Sequence, residues 1–103
     1  MPIETERAVL AAKGFIPSHV YRVEIRRERQ RARKLRESQW WKRRRAAGIC
    51  HHCGGTFAPK ELTMDHLVPV IRGGKSTKGN LVPSCKKCNS ARKHRLPFED
   101  EGA

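Results

Sequence analysis

Apolar residues are unevenly spread between Ser18 and Ala47. Val20, Val23 and Ile25 come early, Leu35, Trp40, Trp41 and Ala46 come late, and Ala32 is the only apolar residue between Arg26 and Lys34. Ser18 is a candidate N-cap and Gly48 a stop, which predicts one long basic helix from about residue 19 to residue 47. A helix bare of apolar residues for more than two turns cannot lie flat on a core, so its middle is expected to project into solvent, a partner or nucleic acid. Trp40 and Trp41 sit about 100° apart around such a helix. One is expected in the core, and the other on a nucleic-acid base or over a metal site.

Beyond Gly48 the pattern is that of a compact unit. A strand is expected at about 61–68, then a loop with Gly73 and Gly74, a second short strand near 80–83 that Pro83 confines to an edge, and a helix at about 85–95 stopped by Pro97. Residues 3–13 read as a short helix ended by Gly14, and FEDEGA as a frayed tail. The fold class is α+β. Residues 1–47 form a helical, basic extension, 48–96 the compact domain and 97–103 the tail.

Composition limits the core. A chain of 103 residues with 37% hydrophobic content and six aromatics (three Phe, two Trp, one Tyr) buries little, so something else must staple it. Four cysteines stand as Cys50-x2-Cys53 and Cys85-x2-Cys88, with 31 residues between the two pairs. Each tight turn aims two sulfurs at one point, and two turns supply the tetrahedral S₄ set that Zn²⁺ prefers. A thioredoxin-like redox role fits less well, for there is no βαβ pattern. Four thiolates leave no open position, so this zinc is structural and catalysis must lie elsewhere. The start of the chain has acids where a signal peptide has bases, and no run is long and apolar enough for a membrane. An intracellular, cytoplasmic setting with reduced thiols is expected, in a bacterium or phage.

Charge points to a partner. Lys and Arg number 23 against 10 Asp and Glu, a net +13, with twelve basic and three acidic residues over 21–45. Glu24 and Glu28 can pair with Arg27 and Arg31 at i,i+3, and the segment keeps a net charge of +9. Such a run is either a solvated face or a phosphate-binding one. A charge of +13 exceeds what a small domain needs for solubility, so nucleic acid is the expected partner, with Arg26, Arg29, Arg33 and Arg36 as contacts.

Between and just after the cysteine pairs lie Asp65-His66, Gly73-Gly74, Asn80 and Asn89. The stretches IC-x-x-CGG, LTMDHLVPVIRGG, GNLVPSC and CKKCNSARK together resemble the HNH nuclease family, over about residues 48–95. The resemblance implies a ββα-metal fold with flanking zinc knuckles. It implies that His66 is the general base, Asp65 a ligand of a catalytic divalent metal, and Asn80 a holder of the loop and the histidine. Asn89 falls where the third motif residue, usually histidine, would sit, and becomes a second metal ligand. Oxygen ligands suit Mg²⁺ or Mn²⁺, with Co²⁺ or Ni²⁺ as alternatives. Arg72, Lys75, Lys78, Arg92 and Lys93 are candidate phosphate contacts, and Gly73-Gly74 would let a ligand approach the backbone. His51, His52 and His94 receive no role. The implied activity is metal-dependent cleavage of DNA, nicking or double-stranded, leaving 5′-phosphate and 3′-hydroxyl ends. The alternative is a zinc-stabilised nucleic-acid-binding module without activity. A homodimer is compatible with either.

Overall fold

The computed structural model describes residues 8–10, 13–14 and 17–92. Most of the expected helix over 3–13 lies outside them, as do Lys93, His94, Pro97 and the tail. Residues 8–10 are helical, and the Lys13 amide donates to the Val9 carbonyl at 3.0 Å.

The long basic helix is two helices: α1, Ser18–Arg36, and α2, Gln39–Ala46. Ser38 makes the break. Its backbone is extended, its Oγ donates to the Leu35 carbonyl at 2.6 Å, and the same oxygen accepts from the Trp41 amide at 3.3 Å. One side chain thus closes α1 and caps α2. At the other end, the cap of α1 is not Ser18 but Pro17, whose carbonyl accepts from Val20 and Tyr21. The change of direction at Ser38 carries Trp41 into the core, 1% exposed. Trp40 stays half-buried, with the Lys78 ammonium 5.7 Å from its ring centroid.

The middle of α1 does not project freely, contrary to the reading from apolar spacing. Ala32 and Glu28 are buried, and α1 packs against a 3₁₀ turn, Val70–Arg72, where the Tyr21 hydroxyl donates to the Ile71 carbonyl at 2.6 Å. The helix docks through a small residue and a hydrogen-bonded carboxylate. A periodicity argument sees only apolar stripes and passes over such a face.

Strands β1, Leu62–His66, and β2, Leu81–Cys85, pair antiparallel with Leu62 opposite Cys85 and His66 opposite Leu81. A two-stranded sheet is marginal alone. Here α3, Lys86–Arg92, leaves β2 directly and packs on both strands, and α2 covers β2, all of whose residues are buried. The His51 amide donates to the Pro83 carbonyl at 2.9 Å and ties the first cysteine turn to β2. Cys50, Leu62 and Cys85 form the buried cluster, with Phe57 and Cys88 against it. The β1–β2–α3 unit is the expected ββα arrangement, and much of its core is the wall of the cysteine site.

Gly74 is needed for a reason other than ligand approach. A Cβ there would overlap the Val68 carbonyl, and the Gly74 amide donates to the Pro69 carbonyl at 2.9 Å. The close approach is the chain's own, folding the β1–β2 loop back on itself.

Candidate active site and metal centre

The four cysteine sulfurs lie within 4.8 Å of one another. Zinc–sulfur bonds of about 2.3 Å place tetrahedral sulfurs about 3.8 Å apart, so the cluster fits a structural metal such as zinc. Amides already point at the sulfurs: Cys85 N–H at Cys50 (3.4 Å), Cys88 N–H at Cys85 (3.5 Å) and Gly55 N–H at Cys53 (3.4 Å). Such donors favour thiolate over thiol. Burial pushes the Cys50 thiol up, but amides of Cys53, Cys85 and His52 outweigh it and bring the pKa down to about 6. Burial and hydrogen bonds with Cys85, Cys53 and Cys50 push Cys88 up to about 12. A dication lets all four ionise.

Asp65, His66 and Asn89 line one cavity of about 640 Å³, together with Thr63 beneath and Arg29 from α1. Strand β1 delivers Asp65 and His66 where its pleat ends, and the first turn of α3 delivers Asn89. The Thr63 hydroxyl gives its proton to the Ser84 carbonyl at 3.0 Å, so its oxygen can only accept from Asn89, whose Nδ2 donates at 2.9 Å. This orients the amide. Asn89 Oδ1 then has no hydrogen-bond partner among the described residues, and neither has Asp65 Oδ1. Two unclaimed hard oxygens at one cavity are a donor set that Mg²⁺ or Mn²⁺ accepts. His66 Nε2 lies 2.9 Å from Ser76 Oγ. Burial lowers the pKa of His66; Asp65 opposes the shift, Arg36 adds to it and Glu28 opposes it.

Asn80 does not face the cavity. Its Oδ1 accepts from the Val68 amide (2.8 Å), and its Nδ2 donates to the Val68 and Lys75 carbonyls (3.0 and 2.8 Å). All its bonds hold the loop that follows His66.

Asp65 is more enclosed than a strand-end residue suggests, at 5% exposure. Its Oδ2 accepts from His52 Nε2 and from Arg92 Nη1, both at 2.6 Å, while Arg92 Nη2 donates to the Leu67 carbonyl at 3.3 Å. A carboxylate only accepts, so His52 carries its proton on Nε2, and the 3.2 Å approach of Arg92 to that nitrogen is contact rather than a bond. Arg92 is therefore not an exposed phosphate contact: it is buried as the counter-ion of Asp65. His52 joins the cysteine turn to Asp65, a role that its place inside a CHHC turn did not suggest. Arg92→Ala would leave the Asp65 charge buried with one partner gone, and is expected to cost about 3–5 kcal/mol of stability in thermal unfolding. An unchanged midpoint would show that the pair contributes nothing.

The remaining basic residues divide. Arg26, Arg29, Arg33 and Arg36 are exposed and recur at three- and four-residue spacing, along one side of α1. Arg29 also lines a groove of about 450 Å³ with Arg22, Arg26 and Arg33, so it joins the groove to the cavity. Lys75 lies 3.9 Å from Glu28 Oε2, Lys78 sits over Trp40, and Arg72 is half-buried at the end of its turn. No described helix is long and apolar enough to cross a membrane.

Residues 50–95 match the family model for HNH endonuclease. A search of curated proteins finds no match to the chain.

Proposed function

With residues 50–95 an HNH endonuclease domain, we propose that the chain is a metal-dependent DNA endonuclease hydrolysing phosphodiester bonds by histidine-activated water. The observation that carries the proposal is the convergence of His66, Asp65 and Asn89 on one cavity with Arg29 at its wall. His66 takes a proton from the water that attacks phosphorus, the bond from phosphorus to the 3′-oxygen breaks, and the products are a 5′-phosphate and a 3′-hydroxyl. Asp65 and Asn89 would hold Mg²⁺ or Mn²⁺ through their unclaimed oxygens. That cation supplies neutralisation of the charge developing on phosphate. Asn80 fixes the loop after His66. Arg29 and the α1 stripe hold the DNA backbone, and the cysteine cluster holds structural zinc.

A second reading is a zinc-stabilised nucleic-acid-binding module. The Arg92 guanidinium favours it, since it already sets a cation on the Asp65 carboxylate. The two readings separate in a titration of plasmid nicking against Mg²⁺, Mn²⁺, Co²⁺ and Ni²⁺. Wild type is expected to work with Mg²⁺ and Mn²⁺. Asn89→His, which exchanges a hard oxygen for imidazole, should shift activity toward Mn²⁺, Co²⁺ or Ni²⁺, and Asn89→Ala should lose most of the rate. Three identical profiles would remove residue 89 from the ligand set, and no nicking with any metal would leave the binding module.

The arginine stripe should govern affinity. Neutralising Arg26, Arg29, Arg33 and Arg36 is expected to weaken binding to all DNA sequences and flatten the salt dependence by about 0.9 in log–log slope for each phosphate no longer neutralised. An unchanged slope in a filter-binding series would assign this face to another partner.

A further inference from the structure

Glu28 and Ser76 are among the few polar residues the fold buries, at 4% and 6% exposure. Glu28 lies in α1, outside the segment that matches the HNH model. The Ser76 hydroxyl donates to the Glu28 backbone carbonyl at 2.5 Å, and the Ser76 amide donates to Glu28 Oε1 at 2.7 Å. Arg31 holds the other carboxylate oxygen at 2.7 Å. His66 Nε2 completes the chain, 2.9 Å from Ser76 Oγ.

The proton positions follow from counting. A carbonyl oxygen can only accept, and a serine hydroxyl has one proton, so that proton belongs to the Glu28 carbonyl. Ser76 Oγ can then offer His66 only a lone pair. Nε2 must donate, and in the neutral ring Nδ1 is bare. Nδ1 has no hydrogen-bond partner among the described residues, and the ring lines the cavity.

We propose that Ser76 and Glu28 are positioning residues that hold His66 in one orientation as the Nε2–H tautomer, leaving Nδ1 as the basic atom at the cavity. The inference rests on the reading of His66 as general base. It gives α1 a task beyond DNA contact: its Glu28 completes a site whose other members all lie in the HNH domain.

The test is a ¹H–¹⁵N spectrum of the zinc-loaded full chain labelled at histidine, at a pH where the rings are neutral. His66→Gln identifies the His66 signals by their loss. Wild-type His66 is expected to show an exchange-protected proton on Nε2 and an unprotonated Nδ1. Ser76→Ala should lose that protection and lower kcat on the order of 10-fold to 100-fold at unchanged DNA affinity. Ser76→Thr, with the same hydroxyl, should restore the signal, and Glu28→Gln, which keeps an oxygen for the Ser76 amide, should retain it. Protonated Nδ1 in wild type would overturn the proposal, as would a protected Nε2 proton surviving in Ser76→Ala. The wild-type spectrum decides the tautomer even if Ser76→Ala fails to fold. A protein with the expected spectrum that leaves plasmid uncut would overturn the nuclease reading and leave the tautomer assignment standing; one that cuts with Nδ1 protonated would do the reverse.

Discussion

His66→Ala is expected to abolish measurable plasmid nicking, a loss of about 10²–10⁴-fold, while the protein still folds and binds DNA. The magnitude follows from what alanine removes. Among the described residues lining the cavity the ring is the only imidazole, and without it water must lose its proton to solvent. The fold should survive because His66 stands at the end of β1 and leaves the Leu62–Asp65 pairing intact. The pH dependence carries a sign as well. Burial lowers the pKa of His66 from 6.5, so the basic form persists to lower pH than in an ordinary histidine, and the rate should reach its plateau at a lower pH than an ordinary histidine would give. A variant that nicks like wild type would require another base; a rate still climbing well above pH 7 would contradict a lowered pKa.

Cys85→Ala is expected to unfold the chain. Structural zinc supplies about 10–16 kcal/mol of binding free energy, comparable with or above the whole net stability of an ordinary domain, about 5–15 kcal/mol. Little here could replace it. Cys85 belongs to the buried cluster with Cys50 and Leu62, ends β2, and accepts the Cys88 amide at the start of α3. Losing it breaks metal site, strand end and helix start together. Circular dichroism, thermal unfolding and zinc content measure this, and a zinc-free variant with native ellipticity and midpoint would show that the metal does not hold the fold.

Local signals were readable in the chain before its structure. Each Cys-x-x-Cys turn sets its own two sulfurs within four residues, so both halves of the metal site are marked locally, while the pairing of β1 with β2 brings the halves together. Asp65 and His66 are adjacent in sequence, and Asn89 is tied by one helical step to Cys88. What escaped is polar and long-range. Glu28 reaches Ser76, Arg92 reaches Asp65 and His52 reaches the same carboxylate, each across at least 13 residues. Hydrophobic periodicity is blind to a buried charge, since its burial depends on a partner elsewhere in the chain. The break at Ser38 is an intermediate case. Serine is a cap residue type, but only the packing of Trp41 into the core decides that the helix should turn there.

The most direct measurement of the central claim is the fate of supercoiled plasmid incubated with the zinc-loaded chain and Mg²⁺ or Mn²⁺. The account predicts nicked or linear DNA with ligatable 5′-phosphate and 3′-hydroxyl ends, formed by wild type, absent with His66→Ala and absent when the divalent cation is withheld. Plasmid that the protein retards on a gel but leaves supercoiled with every metal would contradict it, and would make this chain a binder of DNA that does not cut.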